Sequence, residues 1–143
     1  MKFTIATIIL LAAFGAAAQS STPVGLWQTV NESGQRDALV RITEVDGELR
    51  GHVVKVFSPP APSANPLCEA CPDELKNRPV IGLQILSGVR WDGERYSGGE
   101  ILDPDDGAVY RCTLRLVDAG RRLEVRGFVG ISLFGRTQTW LRQ

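Results

Sequence analysis

The chain has few of the side chains that build metal and nucleophilic sites, with one histidine, three cysteines and one methionine among its 143 residues. A structural zinc site needs four ligands, and the one available set would join His52 to all three cysteines. A Ser–His catalytic pair would also have to use His52, which has no obvious orienting carboxylate. We therefore expect no metal site, no cofactor and no catalytic constellation.

An excess of charge of one sign is also missing. The chain has 16 basic and 16 acidic residues and a formal net charge of +0, and neither kind forms a run or a tail. Proteins that bind nucleic acid usually carry a basic patch or stripe, so we do not expect a nucleic-acid partner. Beyond the N-terminal leader, no apolar segment is long enough to cross a membrane as a helix.

Residues 1–18 have the pattern of a secretory signal peptide. Lys2 supplies the positive charge, residues 5–14 are almost wholly apolar, and three alanines at the end give the small-residue cleavage pattern. Cleavage there would leave residues 19–143 as one domain, with no cysteine at its start to carry a lipid anchor. We expect an exported protein without a membrane span, and the bacterial periplasm is the expected compartment.

The remaining chain alternates between turn residues and short runs rich in Val, Ile, Leu, Thr, Tyr and Trp, which favour strands. In one run, Tyr110, Cys112 and Leu114 alternate with polar residues, which is the period of a half-buried strand. No segment shows a sustained helical period. Strands are predicted near residues 24–30, 38–45, 48–57, 80–91, 95–102, 108–117, 122–130 and 135–142.

Eight antiparallel strands joined mostly by hairpins would expose two long edges if the sheet stayed open, and closure removes those edges. We therefore predict an all-β fold, an eight-stranded antiparallel up-and-down barrel. A barrel of this size is either filled by side chains or holds one small ligand. Gly98 and Gly99, inside a predicted strand, indicate a bulge or a close approach of two backbones.

Residues 58–79 break this rhythm, because they carry most of the prolines and two of the three cysteines. Prolines exclude a central strand, so this segment is predicted to be a long surface loop with one helical turn near residues 73–76. A disulfide between Cys68 and Cys71 is the favoured pairing. A bridge to Cys112 remains open, because closing a longer loop stabilises more, and a redox-active pair is the third reading.

The stretch GISLFG (130–135) almost spells the Gly-x-Ser-x-Gly turn that presents a nucleophilic serine. It has one residue too many, and a strand follows where that turn needs a helix. We interpret it as a glycine-flexed corner between two strands, with Ile131, Leu133 or Phe134 turned inward.

Three segments together resemble the bacterial domain-of-unknown-function family 2147. They are VGLWQT (24–29), KNRPVIGLQ and the residues after it (76–116), and LEVRGFVGISLFGRTQTWLR (123–142). The resemblance implies a small exported protein with a lipocalin-like or calycin-like barrel. In such barrels a Gly-x-Trp in the first strand, here Gly25 and Trp27, is covered by a late arginine that closes one end. Arg142, or with less support Arg136, matches that arginine.

The family has no assigned reaction, so the function has to be argued from the residues. The leading hypothesis is a non-enzymatic exported barrel that binds a small apolar or amphipathic molecule. The alternative is a filled barrel that acts as a cell-envelope interaction module through residues 58–79, and the third hypothesis is a thiol enzyme using Cys68 or Cys71. The candidate cavity residues are Trp27, Tyr110, Leu114, Phe134 and Trp140.

Overall fold

The computed structural model of the chain describes residues 21–57 and 65–143. The predicted signal peptide and the start of the Pro-rich loop lie outside these residues. Eight strands follow one another, each antiparallel to the one before. They are β1 (Gly25–Val30), β2 (Arg36–Val45), β3 (Glu48–Val56), β4 (Gln84–Trp91), β5 (Tyr96–Leu102), β6 (Val109–Val117), β7 (Arg122–Phe128) and β8 (Arg136–Arg142).

β8 pairs back with β1 and closes the sheet into a barrel. The predicted eight-stranded antiparallel up-and-down barrel is therefore confirmed. We call the end where β1 begins and β8 finishes the lower end, and the opposite end, which carries the β3–β4 and β7–β8 connections, the upper end. The largest difference from the predicted strands is at β4, which begins at Gln84 because residues 80–83 form a turn around Gly82, whose φ is +96°.

The lower part of the barrel is filled by side chains that alternate inward along each strand, as the period of two requires. Residues that pair across neighbouring strands point to the same face of the sheet. The inward-facing residues therefore surround the barrel axis. The buried members of this inner face are Trp27, Val40, Ile42, Leu49, Val53, Leu86, Val89, Cys112, Leu114, Leu123, Val125 and Trp140.

Gly98 and Gly99 do mark a bulge and a close approach. The pairing of β5 with β6 shifts register between Tyr96 and Gly99. A side chain at Gly99 would overlap the side chain of Val89 and the carbonyl oxygen of Ser87 on β4. Glycine is needed there because two strands of a small, strongly curved barrel come too close for a Cβ atom.

Residues 65–83 form a compact flap that packs against the β5–β6 turn. Cys68 and Cys71 are joined by a disulfide, and both are buried, at 0% and 3% exposure. The Sγ of Cys68 lies 3.5 Å from the Pro104 carbonyl oxygen, and a Cβ at Gly107 would overlap the carbonyl oxygen of Ala70. The favoured pairing is confirmed, and the predicted helical turn is a 3-10 turn at Asp73–Leu75.

Cys112 is a free thiol on the inner face, so the alternative bridge to the flap is not formed. Burial raises the pKa of this thiol to about 12. It behaves as a small apolar core side chain and not as a nucleophile.

Within the residues that the structure describes, no helix has the length and apolar character needed to traverse a bilayer.

Candidate functional site

The lower end is closed by Arg142. Its guanidinium carbon lies 4.2 Å from the centre of the Trp27 ring. The same group donates hydrogen bonds to the carbonyl oxygens of Gly120 at 2.6 Å, Val24 at 2.9 Å and Thr22 at 2.8 Å. One side chain thus ties the start of β1, the β6–β7 turn and the end of β8 together, and a cation–π contact adds to these bonds.

Gly25 makes room for this closure. A Cβ atom built on Gly25 would lie 2.6 Å from the Nη1 of Arg142, and the φ of Gly25 is +147°. The indole N–H of Trp27 donates to the Pro23 carbonyl oxygen at 2.8 Å, which leaves its polar edge satisfied. Arg136, the less favoured candidate, makes no such contact. Its side chain is 92% exposed and lies 3.7 Å from Glu32.

Three predicted cavity residues lie in the packed core of the barrel. Trp27 is 0% exposed, and Leu114 and Trp140 are each 1% exposed. A void large enough for a ligand would expose part of these side chains, so the barrel is filled around them. The structure thus places Trp27 in the closure and Leu114 and Trp140 in the core.

Phe134 lies outside the barrel, so the prediction that it, Ile131 or Leu133 turns inward is wrong. These side chains are 76%, 60% and 76% exposed. The reason is Arg126 on the outer face of β7, whose guanidinium donates to the Ser132 carbonyl oxygen at 2.6 and 2.9 Å. These bonds hold the 3-10 turn at Ser132–Phe134 against the outside of the wall.

Above the packed core, the inner face becomes partly open to solvent. Tyr110, the remaining cavity candidate, is half-buried there beside Ile101 and Gly127. A Cβ at Gly127 would lie 3.5 Å from Tyr110 and 3.8 Å from Ile101, which are ordinary van der Waals distances. Glycine therefore leaves a shallow recess at this level.

Gln138 lines the solvent-exposed side of this recess. It pairs with Val125 and shares its inward face, yet it is exposed. The cause is the short seam between β1 and β8, whose pairs among the described residues are Trp27 with Arg142 and Gln28 with Leu141. Above them the described residues of β1 and β8 form no further ladder pairs, although β1 continues to Val30. The amide oxygen of Gln138 accepts a hydrogen bond from the indole N–H of Trp140 at 3.1 Å, which joins recess and core.

The rim of the recess is acidic on the β5–β6 side. The Tyr110 hydroxyl donates to Asp106 at 2.8 Å, and this bond raises the pKa of Tyr110. Burial raises the pKa of Asp37 and of Asp103, and for Asp37 the nearby carboxylates of Asp105 and Asp103 add to the effect. The opposite side of the rim carries Arg136. Sequence periodicity could not reveal the recess, because its opening depends on how many residues of β1 pair with β8.

A closed eight-stranded up-and-down barrel, with a tryptophan and an arginine closing one end, is a lipocalin-like barrel. Residues 25–142 match the model of a family described as "Uncharacterized protein conserved in bacteria (DUF2147)", and the chain belongs to that family.

Among solved structures, the chain is similar to one described as "Protein HP1028 from the human pathogen Helicobacter pylori belongs to the lipocalin family". The TM-score is 0.75 at 23% identity, over 87% of this chain and 84% of the other. At this identity the likeness establishes the fold alone. No curated protein matches the chain at a significant level.

Proposed function

We propose that this chain is a non-enzymatic exported protein that binds a small apolar or amphipathic molecule at the upper end of its barrel. The observation that carries the proposal is the change in the inner face between Leu114, which is 1% exposed, and the half-buried Tyr110 and exposed Gln138 above it. Lipocalin-like barrels of eight strands have room for one small ligand at most. In this chain the room lies at the open end.

The recess offers a distinct chemistry to each part of such a molecule. Ile101 and the ring of Tyr110 supply an apolar floor, and Gly127 beside them has no side chain of its own to cover it. The Gln138 amide and the exposed Arg136 guanidinium supply donors at the solvent side. Pockets that combine apolar walls with a few polar groups suit amphipathic ligands.

Catalysis by the flap cysteines has little support. Thiol chemistry needs an accessible thiolate, whereas Cys68 and Cys71 are joined to each other and buried.

The test is native mass spectrometry of the protein purified from its own exported compartment without denaturant. Wild type is expected to carry a reproducible added mass on a mature chain that has lost its leader. Gly127→Leu places a side chain in the recess and is expected to abolish the added mass. Thr139→Leu adds a comparable side chain on the outer face of β8 and should retain it. Wild type with a bare mass, an added mass kept by Gly127→Leu, or an intact leader would each contradict part of the proposal.

A second candidate is the envelope interaction module acting through residues 58–79, and the filled lower barrel favours it. Within the described part of that segment, Leu67 is the large apolar side chain that remains exposed, at 50%. A bare mature mass, together with a partner protein that is lost on Leu67→Asp, would favour this candidate over ligand binding.

A further inference from the structure

The β7–β8 connection carries a cluster of large apolar side chains that contribute nothing to the core. We call Val129, Ile131, Leu133 and Phe134 the apolar tip; their exposures are 70%, 60%, 76% and 76%. At these exposures the four side chains present on the order of 500 Å² of mostly apolar surface, within the range of about 300–600 Å² for the largest apolar patch on a monomeric protein. Single exposed apolar residues are common, whereas the largest patch is often a functional surface.

Specific bonds hold the backbone of the tip on the outer face of the barrel wall. Arg126 donates to the carbonyl oxygens of Ser132 and Leu133 and, through Nη1, to the Thr137 hydroxyl at 3.0 Å. The Phe134 N–H bonds the Ile131 carbonyl oxygen at 3.2 Å, and Gly130 takes a φ of +74°. These bonds satisfy the backbone of the turn locally, so the apolar side chains have no need to fold back onto the wall.

The area and shape of the tip argue against a second copy of this chain as its occupant. A stable protein interface buries about 800 Å² on each partner, and the tip supplies on the order of 500 Å² from one short turn. Two convex turns would also meet over less than their full area. A fluid apolar phase needs no matching pocket and can surround all four side chains.

The charges around the tip indicate which kind of apolar phase the tip would enter. Residues 125–137, which include the tip, contain Arg126 and Arg136 and no aspartate or glutamate. Arg136, two residues after Phe134, is 92% exposed and lies 3.7 Å from Glu32, and the guanidinium of Arg111 lies 5.9 Å from the ring of Phe128, just before Val129. An apolar turn flanked by arginines matches the border between acyl chains and negatively charged headgroups.

We propose that the apolar tip inserts into the surface of an anionic lipid bilayer and holds the protein there reversibly, with the β7–β8 side of the barrel facing the lipid and the acidic β5–β6 side of the rim turned away. The arginines at its base remain at the headgroups. This inference is carried by the exposure of the β7–β8 connection, so it does not require that the recess holds a ligand. If both hold, the recess opens beside the membrane.

The experiment is co-sedimentation of the mature chain with phosphatidylcholine vesicles, with and without phosphatidylglycerol. Wild type is expected to bind the phosphatidylglycerol vesicles and to be released by high salt, because screening weakens the headgroup contacts. Leu133→Asp and Phe134→Asp are each expected to lower the partition coefficient at least tenfold. The matched control is Val45→Asp, which adds the same charge at a 42% exposed apolar position of the lower end and should change partition less than twofold.

Three outcomes would overturn the proposal. Wild type could fail to bind either vesicle. Val45→Asp could reduce binding as much as the tip variants, which would mean that the tip is not the contact. Wild type could be a dimer that Leu133→Asp converts to a monomer, with no vesicle binding, which would assign the tip to self-association. Unchanged circular dichroism of the variants would show that any loss of binding is not a loss of folding.

Discussion

The two ends of the barrel are built from the same eight strands and yet differ in almost every physical property. At the lower end Trp27 is 0% exposed, and Arg142, which lies over the Trp27 ring, donates to three carbonyl oxygens. At the upper end the inward-facing Gln138 is exposed, and Phe134 on the neighbouring turn is 76% exposed. The contrast is one of stability: the lower end is packed and hydrogen-bonded, whereas the upper end leaves side chains exposed that contribute little to the folded state.

The largest effect is expected from truncating the closed end. Trp27→Ala removes a wholly buried aromatic side chain and should lower the free energy of unfolding by about 3–5 kcal/mol. Phe134→Ala at the open end should change it by less than about 0.5 kcal/mol, since its side chain meets mostly solvent. Urea denaturation of both variants and of wild type measures these changes in the free energy of unfolding. Similar losses would remove the distinction between the ends.

The next effect concerns the two arginines of β8. Arg142→Met removes three charge-assisted hydrogen bonds and the contact with the Trp27 ring, and we expect a loss of about 2–3 kcal/mol. Arg142→Lys should recover little of this, because one ammonium cannot reach three separate carbonyl oxygens. Arg136→Met, which breaks one exposed pair with Glu32, should stay within about 0.5 kcal/mol. Equal losses in thermal unfolding would mean that Arg142 is not the closing residue.

The flap disulfide lies at the upper end but is buried. It therefore tests whether a residue's contribution to stability depends on its burial or on the end of the barrel at which it lies. Replacing Cys68 and Cys71 with alanine should lower stability by about 2 kcal/mol, the chain-entropy value for so short a loop. Treatment with a reductant should lower wild type to a similar level and leave the double variant unchanged. No difference between wild type and variant would show that the flap contacts hold without the bridge.

The smallest effect is expected at the β4–β5 turn of the lower end. The Asp92 carboxylate accepts hydrogen bonds from the N–H groups of Arg95 and Glu94 and from the Ser97 hydroxyl, and the backbone bond from Arg95 is the main cause that lowers the Asp92 pKa to about 2. A lowered folded pKa stabilises the fold above the unfolded value of 3.8, and this contribution is lost as the pH falls towards 2.

Asp92→Ala should therefore lower the thermal midpoint by a few degrees at neutral pH. The difference from wild type should narrow as the pH falls below about 4. Asn31→Ala is the matched control, because the Asn31 side-chain oxygen accepts bonds from the N–H groups of Ser33 and Gln35 in another turn and carries no charge, so its difference should not depend on pH. A constant difference for Asp92→Ala across the range would contradict the assigned hydrogen bonds.

Much of the lower end could be predicted from the sequence, because it follows from local rules. The alternation around Cys112 fixed its face, and Gly25, Trp27 and Arg142 occupy the positions that the resemblance implied. The position of Phe134 could not be predicted in this way. The period of two ends with β7, and beyond it a hydrogen bond from Arg126 decides which side of the wall the turn takes.

Sequence patterns could not predict the recess for a related reason. The strand predicted near residues 24–30 is β1 (Gly25–Val30), but the pattern says nothing about how many residues of β1 pair with β8. That number, which leaves Gln138 open to solvent, follows from the tilt and register of the closed barrel. Long-range register is decided by the whole sheet and not by any one segment.

The central claim, that a ligand binds above a filled lower barrel, is tested most directly by the indole N–H signals in the NMR spectrum. The chain has three tryptophans. Trp140 reports on the recess through its bond to Gln138, Trp27 reports on the closed end, and the exposed Trp91 is the outer control. On titration with anilinonaphthalene sulfonate, an amphipathic probe, the account predicts that the Trp140 signal shifts and the Trp27 signal stays in place. A shift of the Trp27 signal as large as that of Trp140 would place the ligand inside the lower barrel and contradict the account.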